Sequence, residues 1–196
     1  MIDWKPIQRK LGVTDDGFFG PKSYTALLSK VCGKSIPEEV GRSFAMHLTG
    51  YGVEDNVNRL AGWIGQTAHE SGLYHYTREI WGPTDDQKRY DAPGNRLGNL
   101  KGDGYNFRGA GWIQVTGRYW FDVIGHALGL DLIGNPSMAN DPGIATLISL
   151  EWWKRNSANT TADSGDVKRL TRLINGGENG LASRMALTYK AKDALS

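Results

Sequence analysis

The chain has 196 residues, 23 basic against 21 acidic, seven tryptophans and one cysteine, Cys32. Its apolar and aromatic content excludes a disordered chain, and a lone cysteine excludes an intrachain disulfide and a cysteine-based metal cluster. No run of about 18 apolar residues is present to cross a membrane. The formal charge of +2 suits an anionic polymer without singling one out. His47, His69, His75 and His126 show no metal-ligand spacing. No metal, cofactor, nucleic-acid partner or membrane insertion is expected, and the chain is expected to be a monomer. The opening Met1-Ile2-Asp3-Trp4-Lys5 lacks a basic stretch followed by an apolar one, so no signal peptide is expected.

Trp4, Ile7 and Leu11 fall at helical spacing, and Gly12 stops the run. Asp15-Asp16-Gly17 marks a turn. A second helix runs from Ser23 through Leu27 and Leu28. These elements make residues 1–34 a small helical unit, and Cys32 to Pro37 a linker. Residues 38–196 form the main domain. Its first helix spans about 38–48, and Asp55 is the expected N-cap of the next. In that second helix Leu60, Trp63, Ile64 and Thr67 make one buried stripe, and Gln66 and Glu70 share a face. The helix should end at Ser71-Gly72. From 80 to 106 turn signals are dense, including Gly82-Pro83 and Asp91-Ala92-Pro93-Gly94-Asn95. A loop this long inside a compact domain is more often functional than idle, and a lid over a cleft is expected of it. Asp85 and Asp86 should open a short helix, and Asp103 an Asx turn. Trp112, Ile113 and Val115 read as a short strand, and Thr116 as the cap of a helix through Leu128. A helix follows from about Pro142 to Trp153, then a polar loop from 157 to 165. Helices near 166–174 and 180–194 flank Asn175-Gly176-Gly177. The fold class is mainly α with little β.

Two acids stand out. Glu70 ends an amphipathic helix near Trp63, Tyr74 and Tyr76, an apolar setting that suits a general acid by raising a carboxyl's pKa. Glu79 lies nine residues on, beside Arg78, in a polar segment that keeps it ionised. On one straight helix that spacing is about 2.5 turns, and the acids would point apart. They share a cleft only if Ser71-Gly72 breaks the helix. Spacing alone equally allows two solvated surface acids, the common fate of glutamate. A second stretch, Gly102 to Gly117, combines five glycines, which let a backbone approach a ligand, with Tyr105, Phe107 and Trp112, which can stack on sugars. Phosphate-cradling patterns are absent from it.

In order along the chain come His69-Glu70-Ser71-Gly72, Glu79, Gly104-Tyr105-Asn106-Phe107-Arg108-Gly109, Gly111, Ile113-Gln114-Val115-Thr116-Gly117 and Ile174-Asn175-Gly176-Gly177. This series resembles glycoside hydrolase family 19, closest to its bacteriophage endolysin branch, which shares its fold with plant-type chitinases. The resemblance covers roughly 38–196 and implies a lysozyme-like, two-lobed α domain. It implies Glu70 as general acid, Glu79 as general base and Thr116 as the residue that helps hold the attacking water. His69, Tyr105, Trp112, Gln114 and Asn175 are then expected to bind sugar, with Arg184 in the network near the acids. The family inverts, so water must fit between carboxyls about 6.5–9.5 Å apart. One departure is Trp120, where the family often has asparagine. Residues Gln8, Leu11, Gly12, Asp16, Gly17, Phe19, Gly20, Pro21 and Lys22 resemble the peptidoglycan-binding helical repeat of cell-wall hydrolases. The function implied is an endolysin cutting β-1,4 bonds of peptidoglycan, made in the host cytoplasm and acting on the wall after release. A chitinase of the same family is the alternative, and a non-catalytic wall-binding protein a further one.

Overall fold

The computed structural model describes residues 2–92 and 94–196, so Pro93, within the turn expected at 91–95, and Met1 lie outside the described residues. The described residues form α1 (Trp4–Leu11), α2 (Pro21–Cys32), α3 (Glu38–His47), α4 (Val57–Glu70), α5 (Asp85–Lys88), α6 (Arg118–Leu128), α7 (Pro142–Arg155), α8 (Ala158–Asp163), α9 (Val167–Asn175) and α10 (Leu181–Ala194). The mainly α expectation holds. Pairing of extended backbone is confined, among the described residues, to isolated bridges joining Ala110 to Arg78 and to Val115.

Local chemistry sets most boundaries. Gly12 and Gly33 close α1 and α2 in the left-handed conformation. Asn56, rather than the expected Asp55, caps α4, accepting from the Arg59 amide at 3.0 Å. Asp55 instead pairs with the Arg59 guanidinium at 2.7 Å, one turn up the helix. Three further expectations fail. Residues 112–115 are a tight turn, not a strand, because Gly111 and Gln114 take positive φ and the Ala110 and Val115 backbones bond to each other at 2.9 and 2.7 Å. Thr116 does not cap α6; Gly117 occupies that position with no side-chain cap. The polar segment 157–165 contains α8, which buries Ala158 and Ala162.

Two hydrophobic cores give two lobes. The larger gathers Ile7, Phe19, Tyr24, Leu27 and Leu28 with Phe44, Leu60, Trp63, Leu150 and Trp153. Aromatic rings run through it in sequence: Trp4 on Phe19 at 4.3 Å, Phe19 on Tyr24 at 4.9 Å, then Phe44, Trp63 and Trp153. Each such pair adds about 0.5–1.5 kcal/mol beyond the area it buries. The N-terminal helices thus pack into the same core as α3 and α4. The smaller core holds Phe107, Ala110, Val115, Phe121, Ile124 and Ile148. Trp120, the departure noted above, packs at its edge against Trp152, with ring centroids 6.3 Å apart. Ile174 touches both cores, and α7 crosses between them.

The segment expected to be a lid is fastened to α6. Asp103, buried, accepts two hydrogen bonds from the Arg118 guanidinium at 2.6 and 2.9 Å and one from the Leu100 amide. Asn99 accepts from the Arg118 amide at 2.7 Å, and Tyr119 donates to the Leu97 carbonyl at 3.0 Å. The Arg118 guanidinium holds the Asp103 carboxyl below its usual range. The Asx turn expected at Asp103 is not formed: its carboxylate accepts from the Leu100 amide three residues earlier rather than from one two residues on, and pairs with Arg118.

Candidate active site

The turn after α4 is what brings the two acids together. Gly72, Leu73 and Tyr74 take φ of 60, 60 and 64° in succession, a left-handed run that only glycine adopts freely. Surrounding contacts hold the two non-glycine residues there. Ser71 donates to the Thr67 carbonyl at 2.7 Å and accepts from the Tyr74 amide at 2.8 Å. The Tyr74 ring is buried against Phe44 and Trp112, and its hydroxyl lies 2.9 Å from that of Thr67. The chain therefore reverses sharply and returns Glu79 to a cleft that Glu70 also lines. The cleft measures about 730 Å³, and Tyr76, Gln114, Thr116 and Asn175 line it with the two acids.

On the large-lobe side, Glu70 pairs with Arg184 of α10, which is 1% exposed. Arg184 also donates to Gln66 Oε1 at 2.7 Å and to the Asn179 carbonyl at 3.1 Å. The Gln66 amide is fixed in turn by Thr171 of α9 at 3.0 Å. One carboxylate is thus oriented by three helices. The aromatic setting expected for Glu70 is corrected here. Trp63 and Tyr74 turn into the large core, and the partner of the carboxylate is a guanidinium.

On the other side, the hydrogen-bond partners of the Glu79 carboxylate among the described residues all donate to it. Gln87 Nε2 at 2.9 Å and the Tyr90 hydroxyl at 3.2 Å meet Oε1, and the Gly109 amide at 3.0 Å meets Oε2. The Glu79 amide returns a bond to the Gly109 carbonyl at 2.9 Å. A Cβ on Gly109 would lie 2.7 Å from the Gln114 side chain and 3.1 Å from that of Glu79, so this approach requires glycine. Burial, and then the Glu79 charge, push the Tyr90 phenol up to about 12, so it remains a donor throughout the neutral range.

Of the residues expected in the site, Glu70, Glu79, Gln114, Thr116 and Asn175 line the cleft, and Arg184 lies behind Glu70. Thr116 makes no bond to Glu79; its hydroxyl donates to the Gln114 carbonyl at 3.0 Å, which leaves its lone pairs toward the cleft. His69 faces Ser183 at 3.0 Å rather than lining the cleft. Burial, and then the Arg184 charge, lower its pKa and favour the neutral ring. Two more expectations are corrected. Trp112 is 1% exposed and donates through its indole to Thr146 at 2.7 Å, so it is a core residue that no sugar reaches. Tyr105 is exposed but lines a separate recess.

Gln87 and Tyr90 were not anticipated. The available signal was Thr84-x-x-Gln87, a capping-box pattern. Gln87 does close that box, accepting from the Thr84 amide at 2.8 Å, while its other atom reaches Glu79. Replacing Gln87 with leucine should lower kcat about 10–100-fold with KM little changed, because a misplaced reacting group costs rate rather than binding. Steady-state kinetics on a soluble oligosaccharide checks this.

Among the described residues, no group of three His, Cys, Asp or Glu side chains is close enough to hold a metal. A two-lobed helical fold with two carboxylates lining the cleft where its cores meet is the arrangement of a lysozyme-like glycosidase. A profile described as chitinase class I matches residues 38–168, and the chain belongs to this family, glycoside hydrolase family 19. An endochitinase of Arabidopsis thaliana is 32% identical over 120 residues, 61% of this chain and 40% of that protein. A glycosyl hydrolase family 19 domain-containing protein of Haemophilus influenzae is 36% identical over 100 residues, 50% of this chain and 48% of that one. The chain thus matches less than half the length of these relatives. Chitinase C from Streptomyces griseus superposes with a TM-score of 0.68 at 19% identity, covering 90% of this chain and 93% of the other. The class IV chitinase of Zea mays gives 0.69 at 18%, covering 91% and 94%. These two establish the shared fold.

Proposed function

We propose that this glycoside hydrolase cleaves the β-1,4-linked glycan of bacterial peptidoglycan, as an endolysin of the phage-type branch. Glu70 protonates the glycosidic oxygen, and Arg184 beside it stabilises the carboxylate left behind. Glu79 takes a proton from water, and the Thr116 hydroxyl, its own proton already given to Gln114, accepts the water's second hydrogen. Gln114 and Asn175 bind sugar along the cleft. The observation that carries this reading is the meeting of the two acids in one cleft. They reach that cleft from separate segments, Glu70 held by Arg184 and Glu79 by three neutral donors, and the order of acid and base follows the family resemblance.

The peptidoglycan assignment rests on the endolysin-like motif series and on α1 and α2, which resemble a wall-binding repeat. Between them lies a cavity of about 590 Å³ beside the exposed Phe18, with Asp16 and Lys22 on its wall. The enzyme acts on the wall after release from the cytoplasm in which it is made. A second reading, chitin hydrolysis, is favoured by the endochitinases among the relatives. Purified sacculi and colloidal chitin, digested in parallel, separate the two. Release of soluble muropeptides supports the first reading, and cutting of chitin with intact sacculi overturns it. Because α1 and α2 share the large core, deleting them would damage the fold. Phe18→Ser is the better probe, and it should weaken co-sedimentation with sacculi while leaving turnover of short soluble glycans unchanged. Unchanged sedimentation would return this unit to a packing role.

A further inference from the structure

Behind the strand-like segment that carries Glu79 lies a second recess of about 310 Å³, lined by Arg78, Tyr105, Asn106, Arg108, Ser137 and Asn140 together with Pro136. Its composition is unusual for this protein, because no carboxylate is among its lining residues. Arg78 is 8% exposed. It donates to the carbonyls of Pro136 and Asn106 and sits 5.4 Å from the Phe121 ring centroid, and its buried Nε has no hydrogen-bond partner. Arg108 stacks on Tyr105 at 4.1 Å and donates to the Tyr105 and Glu79 carbonyls at 2.6 and 3.0 Å.

Backbone carbonyls satisfy donors but do not neutralise charge. Neither Arg78 nor Arg108 forms an ion pair among the described residues; the other arginines without one, Arg96 and Arg169, are exposed to solvent, whereas Arg78 is buried and Arg108 half-buried. The Arg78 and Arg108 charges repel each other, the nearby Glu79 carboxylate offsets part of that repulsion, and an anion in the recess relieves the rest. Burial, and then Arg108, pull Arg78 down to about 10, consistent with that repulsion. The exposed amides of Asn106 and Asn140 add donors without charge, while the Ser137 hydroxyl gives its proton to Asn135. Arg78 lines both this recess and the catalytic cleft, so it is the wall between them.

We infer that this recess is a carboxylate subsite, which takes the acidic arm of a muramic-acid residue while the sugar ring lies in the cleft. The inference rests on the peptidoglycan reading and deepens it. The carboxylate comes either from the lactyl ether itself or from the peptide attached to it; both present the same group to Arg78 and Arg108. A neutral N-acetylglucosamine unit leaves the subsite unfilled, so the recess distinguishes wall glycan from chitin.

Asn140→Asp tests this, because the side chain makes no hydrogen bond among the described residues and its replacement supplies an internal counter-ion nearly without change of shape. Ser137→Asp is the second variant, should the first fail to fold. Titrations of the full chain are followed by NMR at side-chain amides, with N-acetylmuramic acid, N-acetylmuramoyl-L-alanyl-D-glutamate and N-acetylglucosamine as probes. Wild type should bind at least one acidic probe about tenfold more tightly than N-acetylglucosamine, the order of a charge-assisted hydrogen bond, and salt should weaken that preference. Which acidic probe wins identifies the source of the carboxylate. The variant should lose the preference, with chitin-oligosaccharide turnover unchanged. Equal binding of all three probes to wild type overturns the subsite, as does a variant that keeps the preference or that loses neutral and acidic ligands alike. These titrations do not depend on cleavage. Wild type that leaves sacculi intact refutes the peptidoglycan reading separately, and wild type that cuts sacculi without any acidic preference refutes the subsite alone.

Discussion

Glu70→Gln should lower kcat on a natural glycan about 10²–10⁴-fold, the range for loss of a general acid, while binding to cell walls persists. A sugar alkoxide is a poor leaving group and needs a proton as the bond breaks, and glutamine has none to give. The same variant tested on a chitooligosaccharide with a dinitrophenyl leaving group should recover most of its rate, because that group departs without protonation. The substitution keeps an acceptor oxygen for Arg184 but removes its charge partner. A stability loss of about 2 kcal/mol is expected from weakening a hydrogen bond to a charged group, measured by urea unfolding. If the variant is equally slow on both substrates, Glu70 has another role. If it is equally fast on glycan, the mechanism fails.

Glu79→Ala should be comparably slow, again by about 10²–10⁴-fold, but rescuable in a different way. It leaves Gln87, Tyr90 and the Gly109 amide as three donors around the space vacated by a carboxylate. A small anion such as azide or formate fits that setting. Azide should restore turnover of a dinitrophenyl substrate, yielding a glycosyl azide of inverted configuration, because it attacks from the side where water normally stands. Glu70→Gln should show no such rescue on that path. A retained-configuration azide product would require a covalent glycosyl intermediate on some other nucleophile, and would contradict a single displacement with Glu79 as base.

Much of this architecture was legible in the residues because it is written in short-range chemistry. The 3.6-residue stripe of α4 and its stop at Ser71-Gly72 located Glu70. Asn175-Gly176-Gly177 separated α9 from α10, and the ordered motifs pointed to Gln114, Thr116 and Asn175, all of which line the cleft. What failed to show depended on which way a side chain turns. Trp112 and Tyr105 lie in one glycine-rich stretch and looked alike as sugar platforms. The positive φ of Gly111 turns the chain so that Trp112 enters the large core, while Tyr105 stays outside under Arg108. Gln87 was hidden because its capping-box pattern already had a sufficient local explanation. The grip on Glu79 joins Gln87, Tyr90 and Gly109, up to 30 residues away, and no periodicity records such a meeting. The polar segment 157–165 misled for the opposite reason. Its asparagine and threonines weaken helix propensity, but packing of Ala158 and Ala162 outweighs them.

In the proposed mechanism Glu70 and Glu79 act as acid and base across a water molecule. The most direct measurement is proton NMR of the anomeric signals during the first minutes of digestion, before mutarotation mixes them. Under that inverting mechanism the new reducing ends first appear as the α-anomer, inverted from the β-linkage. First appearance of the β-anomer would contradict it.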